Sequence, residues 1–346
     1  GLQGGDVAFA AARQSAGLQA QDLFAAALGI RVRAAGSALA DFERSRIETK
    51  SITWTWLMRG TLHVVPTEDL DWYLAVVGPP LIAGTAKRRG ELGMDDETYR
   101  AGLKVIRDRL AQDGPRMREE LTGSLEGAGL PGGYRIERHL LFRAALEGLI
   151  CFGPDRGDTP GSHPTFTLLE DWLGRPLERF DNAEQPQLVA RLARRYLAAF
   201  APAALPDFSA WAGLNVRDLR AGWELVLPEL TEVDVTGQTL YAPADVLARL
   251  DAPLPQPHVR LLPAFDTYIL GHRNRSLIED GTYAARIKGG GVLPPMALID
   301  GRIAGTWRMN RKGRKLSPAL EPFGEWDAGV RRLAEAETRD IERFIA

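Results

Sequence analysis

Ser51-Ile-Thr-Trp-Thr-Trp-Leu-Met-Arg-Gly-Thr-Leu-His-Val-Val65 is the stretch on which the fold turns. β-Branched and aromatic residues fill it and Arg59-Gly60 interrupts it, so it reads as two strands around a turn. The residues before it are helical. Residues 6 to 33 are rich in Ala and Leu at helical spacing, with a break at Ala16-Gly17-Leu18. A second helix is predicted over Ser37 to Arg46, with Ser37 as its N-cap. Helices followed by a two-stranded hairpin are the layout of a winged helix, a helix-turn-helix relative with an added β wing.

The layout recurs twice. Thr98 to Gln112 is amphipathic, Arg116 to Glu126 repeats an apolar spacing, and Glu137 to Glu147 offers a basic side through Arg138, His139 and Arg143. Gly148 to Phe152 and Thr165 to Leu169 are the strands of a second wing. The third copy comprises helices over Gln187 to Phe200, Pro206 to Gly213 and Asn215 to Trp223, then strands Leu230 to Val235 and Gln238 to Ala242 around a Gly237 turn. After the proline-rich Asp251-Ala-Pro-Leu-Pro-Gln-Pro257 the pattern changes to strands: Val259 to Leu262, Val292 to Ile299, Arg302 to Met309 and Leu316 to Glu321. Asp300-Gly301 and Lys312-Gly313 supply hairpin turns, and a final helix runs from Glu325 to Ile345. The expectation is an α+β protein of about three tandem winged-helix units on a curved scaffold. Its divisions are 1–75, 76–180, 181–250 and a strand-rich region 251–346.

Composition narrows the function classes. The 346 residues are 45% hydrophobic and 25% charged, as in an ordinary globular protein and unlike a disordered or disulfide-built one. The single cysteine, Cys151, cannot close an intrachain disulfide or form a zinc site of cysteine pairs, and it fits a reducing, cytoplasmic setting. No run approaches the ~20 apolar residues of a membrane helix, and Gly1 to Ala20 lacks the pattern of a secretion signal. No membrane partner is expected. The five histidines show no metal-ligand spacing, and neither metal nor cofactor is implied.

Charge is informative by position. The chain carries −2 overall, but Gly271 to Lys315 holds ten basic residues against Glu279, Asp280 and Asp300, a local +7. A field of one sign attracts a polyanion whatever the total. Arg273, Arg275, Lys288, Arg308, Arg311, Lys312, Arg314 and Lys315 are the expected contacts to double-stranded DNA, with the tip Asn310-Arg-Lys-Gly-Arg-Lys315 tracking phosphates.

Three stretches carry a resemblance: Gly17-Leu-Gln-Ala-Gln-Asp22, Thr55-Trp-Leu-Met-Arg-Gly-Thr-Leu-His63, and Leu261-Leu-Pro-Ala-Phe-Asp-Thr-Tyr-Ile-Leu-Gly271 continuing to Arg273-Asn-Arg-Ser276. In that order, from about Val7 to Met309, the chain resembles the winged-helix DNA glycosylases related to the bacterial azinomycin-resistance enzyme. The resemblance implies a protein that curves around duplex DNA and removes alkylated bases, in some members opening interstrand crosslinks. It also implies that Gln19 and Gln21, the family's Gln-x-Gln form, carry catalysis. His272 departs from the aromatic residue such a turn would have.

Glutamine has no usable pKa, so it cannot act as a general acid or base. An N3- or N7-alkylated purine does not need one, because it is already cationic and leaves as a neutral base. Orienting water and stabilising positive charge on the sugar then suffice, and an amide can do both. The substrates expected are cationic alkylpurines, not uracil or undamaged adenine. Residues i and i+2 align on extended chain but not on a helix, so Gln19 and Gln21 can cooperate only in a non-helical lead-in to the helix that starts near Asp22. No lysine stands at the motif to form a Schiff base, so hydrolysis without strand nicking is expected.

His63, opposite in facing to Leu62 and Val64, reads as a satisfied structural histidine or as a contact to phosphate or lesion, and Arg59 is a better phosphate candidate. Asp266 is a possible assisting carboxylate and otherwise a cap. Glu68 and Asp69 read as N-terminal helix charges. Three internal units argue for a monomer. The competing readings are a non-catalytic winged-helix DNA-binding protein or transcriptional regulator, and a protein–protein module with a basic loop.

Overall fold

The structure is a computed structural model and describes residues 6–130, 133–250, 256–279, 281, 293–312 and 315–346. The expected contacts Lys288 and Arg314, the Gly313 turn position and the Lys288-Gly-Gly-Gly291 stretch lie outside the described residues, as do the side chains of Lys312 and Lys315.

The break at Ala16-Gly17-Leu18 separates α1 (Val7–Gln14) from α2 (Leu23–Arg33), with Ala16 and Gly17 at φ of 52° and 92°. Between the helices lies the two-residue strand β1 (Leu18–Gln19). Helix α3 (Leu39–Glu43) starts later than predicted. Its N-cap is Ala38, not Ser37, because the Asp41 carboxylate accepts the Ala38 amide at 2.8 Å. A π turn over Arg44–Glu48 follows, and then the predicted hairpin, β2 (Ile52–Trp56) and β3 (Leu62–Pro66), with β1 on its far edge in the order β1-β3-β2.

Helices α4 (Leu70–Gly84) and α5 (Ala86–Glu91) lead to a second unit. It comprises α6 (Asp96–Asp113), β4 (Arg116–Met117), α7 (Arg118–Gly127), α8 (Tyr134–Leu146), β5 (Ile150–Asp155) and β6 (Pro164–Leu168). Its sheet runs β4-β6-β5, the same order as the first. The stretch from Arg116 that reads as one helix therefore begins as a strand. After α9 (Leu169–Leu173) the third unit has α10 (Gln185–Phe200), α11 (Leu205–Ala212), α12 (Val216–Val226), β7 (Leu230–Val235) and β8 (Gln238–Pro243). Where the others have a short first strand, Ala203 bridges Tyr241 of β8.

Helix α13 (Ala244–Leu250) precedes the C-terminal sheet: β9 (Val259–Leu262), β10 (Met296–Ile299), β11 (Arg302–Lys312) and β12 (Lys315–Pro322), ordered β12-β11-β10-β9. Short α14 (Thr267–Leu270) follows β9, and α15 (Ala328–Ile345) closes the chain. Asp300 and Gly301 both take positive φ, 49° and 79°, as a two-residue hairpin turn requires.

Packing shows how the units join. The wings of the first two units face each other through stacked Trp54 and Phe152, ring centroids 3.8 Å apart, with Trp56 against Phe142 and Phe166. Arg46 reaches across to Asp155 at 2.6 Å, both side chains buried. Helix α4 is buried nearly all round from Leu70 to Gly78 and crosses α8 where Gly78 leaves no room for a side chain, since a Cβ there would stand 2.7 Å from the Leu146 carbonyl oxygen. A division at 75/76 therefore falls inside α4. Buried Arg31 ties α2 to the C-terminal region through Glu337 (3.1 Å), Asp340 (2.9 Å) and the Leu261 carbonyl (2.8 Å).

Candidate active site

Gln19 and Gln21 sit where the chain leaves α1 and has not yet entered α2. Gly17 makes that reversal possible: at φ 92°, a Cβ on it would lie 2.8 Å from Val65 Cγ1. The Tyr73 hydroxyl donates to the Ala16 carbonyl at 3.1 Å and fixes the bend. Leu18 then pairs with Val64 and Gln19 with His63. Ala20 donates its amide to the Leu62 carbonyl at 2.7 Å, and its own carbonyl accepts the Trp54 indole N–H at 3.1 Å. Asp22 caps α2 by accepting from the Ala25 amide at 3.0 Å. The two glutamines are thus in non-helical chain just before the helix, Gln19 on β1 and Gln21 at the bend that leads into α2.

Both amides are fixed by donors that can do nothing but donate. Gln21, exposed, accepts the Leu62 backbone N–H on Oε1 at 2.8 Å. Gln19, 7% exposed, accepts Arg59 Nη2 on Oε1 at 2.5 Å. Arg59 sits in the tight turn between β2 and β3, itself at φ 57° with Gly60 at 65°. Its other terminal nitrogen, Nη1, donates to the carbonyl of Trp211 on α11. The end of α11 presses on this turn, because a Cβ on Gly213 would come within 2.6 Å of Arg59 Cα.

The surroundings of Arg59 and His63 set both apart from free phosphate contacts, and His63 has the burial of a structural histidine. Arg59 commits both terminal nitrogens to protein acceptors and so does not stand free for a phosphate. Burial, with Arg275 nearby, pulls its pKa down to about 10, which leaves it charged at neutral pH. His63 is 1% exposed and stands directly opposite Gln19 in the pairing of β1 with β3. Its Nδ1 lies 3.0 Å from the Thr61 carbonyl, which can only accept, so that nitrogen carries the proton. Burial and then the Arg59 charge hold its pKa down at about 3, so the ring is neutral.

The third stretch arrives from the C-terminal region. The Gly271 carbonyl accepts the Tyr196 hydroxyl at 2.8 Å, and a Cβ on Gly271 would collide with Phe200 at 2.3 Å. His272 Nε2 is 3.2 Å from the Pro202 carbonyl, a contact a phenyl ring could not make. Asp207 accepts the Arg273 amide at 3.0 Å. So seated, the turn brings Arg275 close enough to Arg59 to lower its pKa, while Arg273 is exposed. Asp266 is a cap, not a free carboxylate: it accepts the Tyr268 amide at 2.9 Å and holds Arg33 at 2.7 and 2.9 Å. Asp69, buried, takes Arg195 at 2.6 Å, and exposed Glu68 takes Arg13 at 3.0 Å. On the outer hairpin Arg308 pairs with Glu321 at 2.8 Å and Arg311 is exposed.

Sequence reading missed a basic groove beside the Arg59 turn. A cavity of about 680 Å³ is bounded by Trp56, Phe142, Arg88, Arg135, Arg138 and His139, with no carboxylate in its lining. The Arg138-His139 pair on α8 was the one signal for it. Among the described residues no His, Cys, Asp and Glu cluster could hold a metal ion, and no helix is long and apolar enough to cross a membrane.

Over residues 12–344 the sequence matches the family described as DNA glycosylase AlkZ-like. It is 27% identical over 321 residues to an interstrand DNA cross-link repair glycosylase of Streptomyces sahachiroi, covering 85% of this chain and 80% of that one. Among solved structures, the Streptomyces sahachiroi DNA glycosylase AlkZ superposes with a TM-score of 0.79 at 24% identity, over 98% of this chain and 91% of the other. At that identity the superposition establishes a shared fold.

Proposed function

The chain belongs to the AlkZ-like DNA glycosylases, and from that premise we propose that it hydrolyses the N-glycosidic bond of cationic N7- or N3-alkylated purines in duplex DNA, using Gln19 and Gln21. The observation that carries the reading is that both glutamines lie on the short non-helical segment between α1 and α2 with their amides held by fixed donors. In the reaction the bond from the sugar C1′ to the purine nitrogen breaks and its electron pair neutralises the base. Water then bonds to C1′ and releases a proton to solvent. Each amide oxygen keeps one lone pair beyond the protein donor it accepts, and Gln21, exposed, can direct its own at a water. With no lysine at the motif, the enzyme acts as a monofunctional hydrolase that leaves the strand intact.

Crosslinked purines come within the substrate class because the relative of similar length is a cross-link repair glycosylase. Three helices followed by a hairpin recur three times, with a short first strand in the first two copies, and support reading 1–75, 76–180 and 181–250 as winged helices, the 75/76 division falling within α4. The duplex is assigned to the basic groove by the Arg59 turn, to Arg273 and Arg275, and to the hairpin of Arg308 and Arg311. Lys288, Lys312, Arg314 and Lys315 join this assignment on sequence alone. The protein acts as a monomer, without cofactor.

The test is base release from a duplex carrying N7-methylguanine, with bulkier N7 adducts and a crosslinked duplex alongside, for wild type, Gln19→Ala and Gln21→Ala. Release that both substitutions abolish while DNA binding persists is the expected result. No release from any substrate, with intact salt-sensitive binding, would overturn it in favour of a non-catalytic binder.

A further inference from the structure

We propose that Arg59 is a positioning residue that fixes the amide of Gln19 with its NH2 edge toward substrate, so that Gln19 donates and Gln21 accepts in a divided pair. This rests on the glycosylase reading for its catalytic consequence, but the geometry stands without it. A guanidinium has no lone pair, so Oε1 must face Arg59, and flipping the amide would set two donors against each other at 2.5 Å. The Nε2 group is left on the opposite edge. It has no acceptor among the described residues and is not among the buried unsatisfied atoms, so its hydrogens are open to a ligand. The positive charge on Oε1 also draws density from the amide and strengthens its N–H groups as donors.

Gln21 is the converse. Its Oε1 meets a neutral backbone N–H, and its second lone pair carries no competing cation. A water that donates to Gln21 and accepts from Gln19 retains a lone pair for the sugar carbon. The same guanidinium holds the Trp211 carbonyl, and Gly213 lets α11 approach. The orientation of Gln19 therefore depends on the third unit being docked on the first.

Gln19→Glu is the discriminating variant. Glutamate keeps an oxygen on Arg59 as a buried ion pair but loses the NH2 edge. Single-turnover base release should fall about 100-fold with DNA affinity retained. Release at or above the wild-type rate would overturn the proposal, because it would mean that the outward edge works as an acceptor. Arg59→Met should slow release by about 10- to 100-fold without changing Kd, Arg59→Lys should recover part of the loss, and combining Arg59→Met with Gln19→Ala should cost no more than Gln19→Ala alone. Additive losses would sink the idea that Arg59 acts through Gln19. If Arg59→Met does not fold, Arg59→Lys and Gln19→Glu still decide the matter.

A readout independent of activity separates this from failure of the glycosylase reading. In wild type the Gln19 side-chain amide, identified by its loss in Gln19→Ala, should give one sharp pair of 15N-coupled proton signals. In Arg59→Lys the pair should shift and broaden. An unchanged pair would refute the clamp even if no base were ever released.

Discussion

The first and second units are built to one plan and differ where chemistry would occur. Each has a two-residue strand on the far edge of a hairpin, and the register matches: Gln19 lies opposite His63 in the first, Met117 opposite Thr165 in the second. The second glutamine, Gln21, has Glu119 at the matching offset, already inside α7. The hairpins close differently as well. The first turns within Met58–Gly60 and folds Arg59 back onto the motif. The second runs from Asp155 to Pro164 and uses Asp155 to hold Arg46 of its neighbour. One unit's turn serves the motif while the other's serves assembly. A shared scaffold therefore does not by itself confer an activity, and the proposed function rests on the two glutamines and the tight turn that the first unit has and the second lacks.

The largest effect separates the units directly. Gln19→Ala and Gln21→Ala should each slow base release by about 10²- to 10³-fold, the usual loss when a placed hydrogen-bonding group is removed from a site of developing charge. Met117→Ala and Glu119→Gln should leave release within about twofold of wild type, as changes remote from that charge do. A comparable loss from the second pair would erase the distinction.

Next in size is the assembly role of the second loop. Asp155→Ala leaves Arg46 buried with Glu43 and the Gly153 carbonyl as its remaining partners. Breaking a buried pair by removing one side costs about 3 kcal/mol. Denaturant unfolding should show that loss, while release at low temperature stays near wild type. A neutral outcome would mean that the aromatic stack of Trp54 on Phe152 holds the units together unaided.

A smaller, pH-dependent effect belongs to the first unit. His63 stays neutral until about pH 3 in the folded protein, because burial and Arg59 oppose its charge. In the unfolded chain it protonates near 6.5. Below 6.5 only the unfolded state takes up the proton, so stability is complete above that pH and falls as the solution is acidified. Between pH 6.5 and 5 this amounts to about 2 kcal/mol. Melting temperature should thus drop less on acidification in His63→Gln than in wild type, and equal slopes would place the histidine in water.

Much of this architecture was written locally in the sequence. The hairpin at Arg59-Gly60, the helix break at Gly17 and β9 are visible because each depends on neighbours in the chain. The lead-in position of the glutamines was legible for the same reason. The clamp was not, since Arg59 meets Gln19 across 40 positions and Trp211 across 152. Nor was the burial of His63, because alternation on β3 tells which face the side chain takes and not what packs over that face. Ser37 misled as a cap because Asp41 took the neighbouring amide instead.

The mildest expected effect concerns the groove between the two units. Arg135 and Arg138 on α8 are exposed beside the cavity at the Arg59 turn, and among the described residues neither has an acidic partner. Charges left so beside the glutamine motif suit the phosphates of the duplex that the proposed function places there. Each phosphate contact contributes about 0.9 to the slope of log affinity against log salt. Replacing both arginines with Ala should therefore lower that slope by roughly 2 and weaken binding similarly for every sequence. Saturating single-turnover release should stay close to wild type, since neither residue touches Gln19 or Gln21. The same salt titration on Arg308→Ala and Arg311→Ala compares this groove with the outer hairpin. Because Arg308 already pairs with Glu321, its substitution should move the slope less than that of Arg138. If the hairpin variants moved it more, the duplex would lie along the C-terminal sheet and not between the first two units.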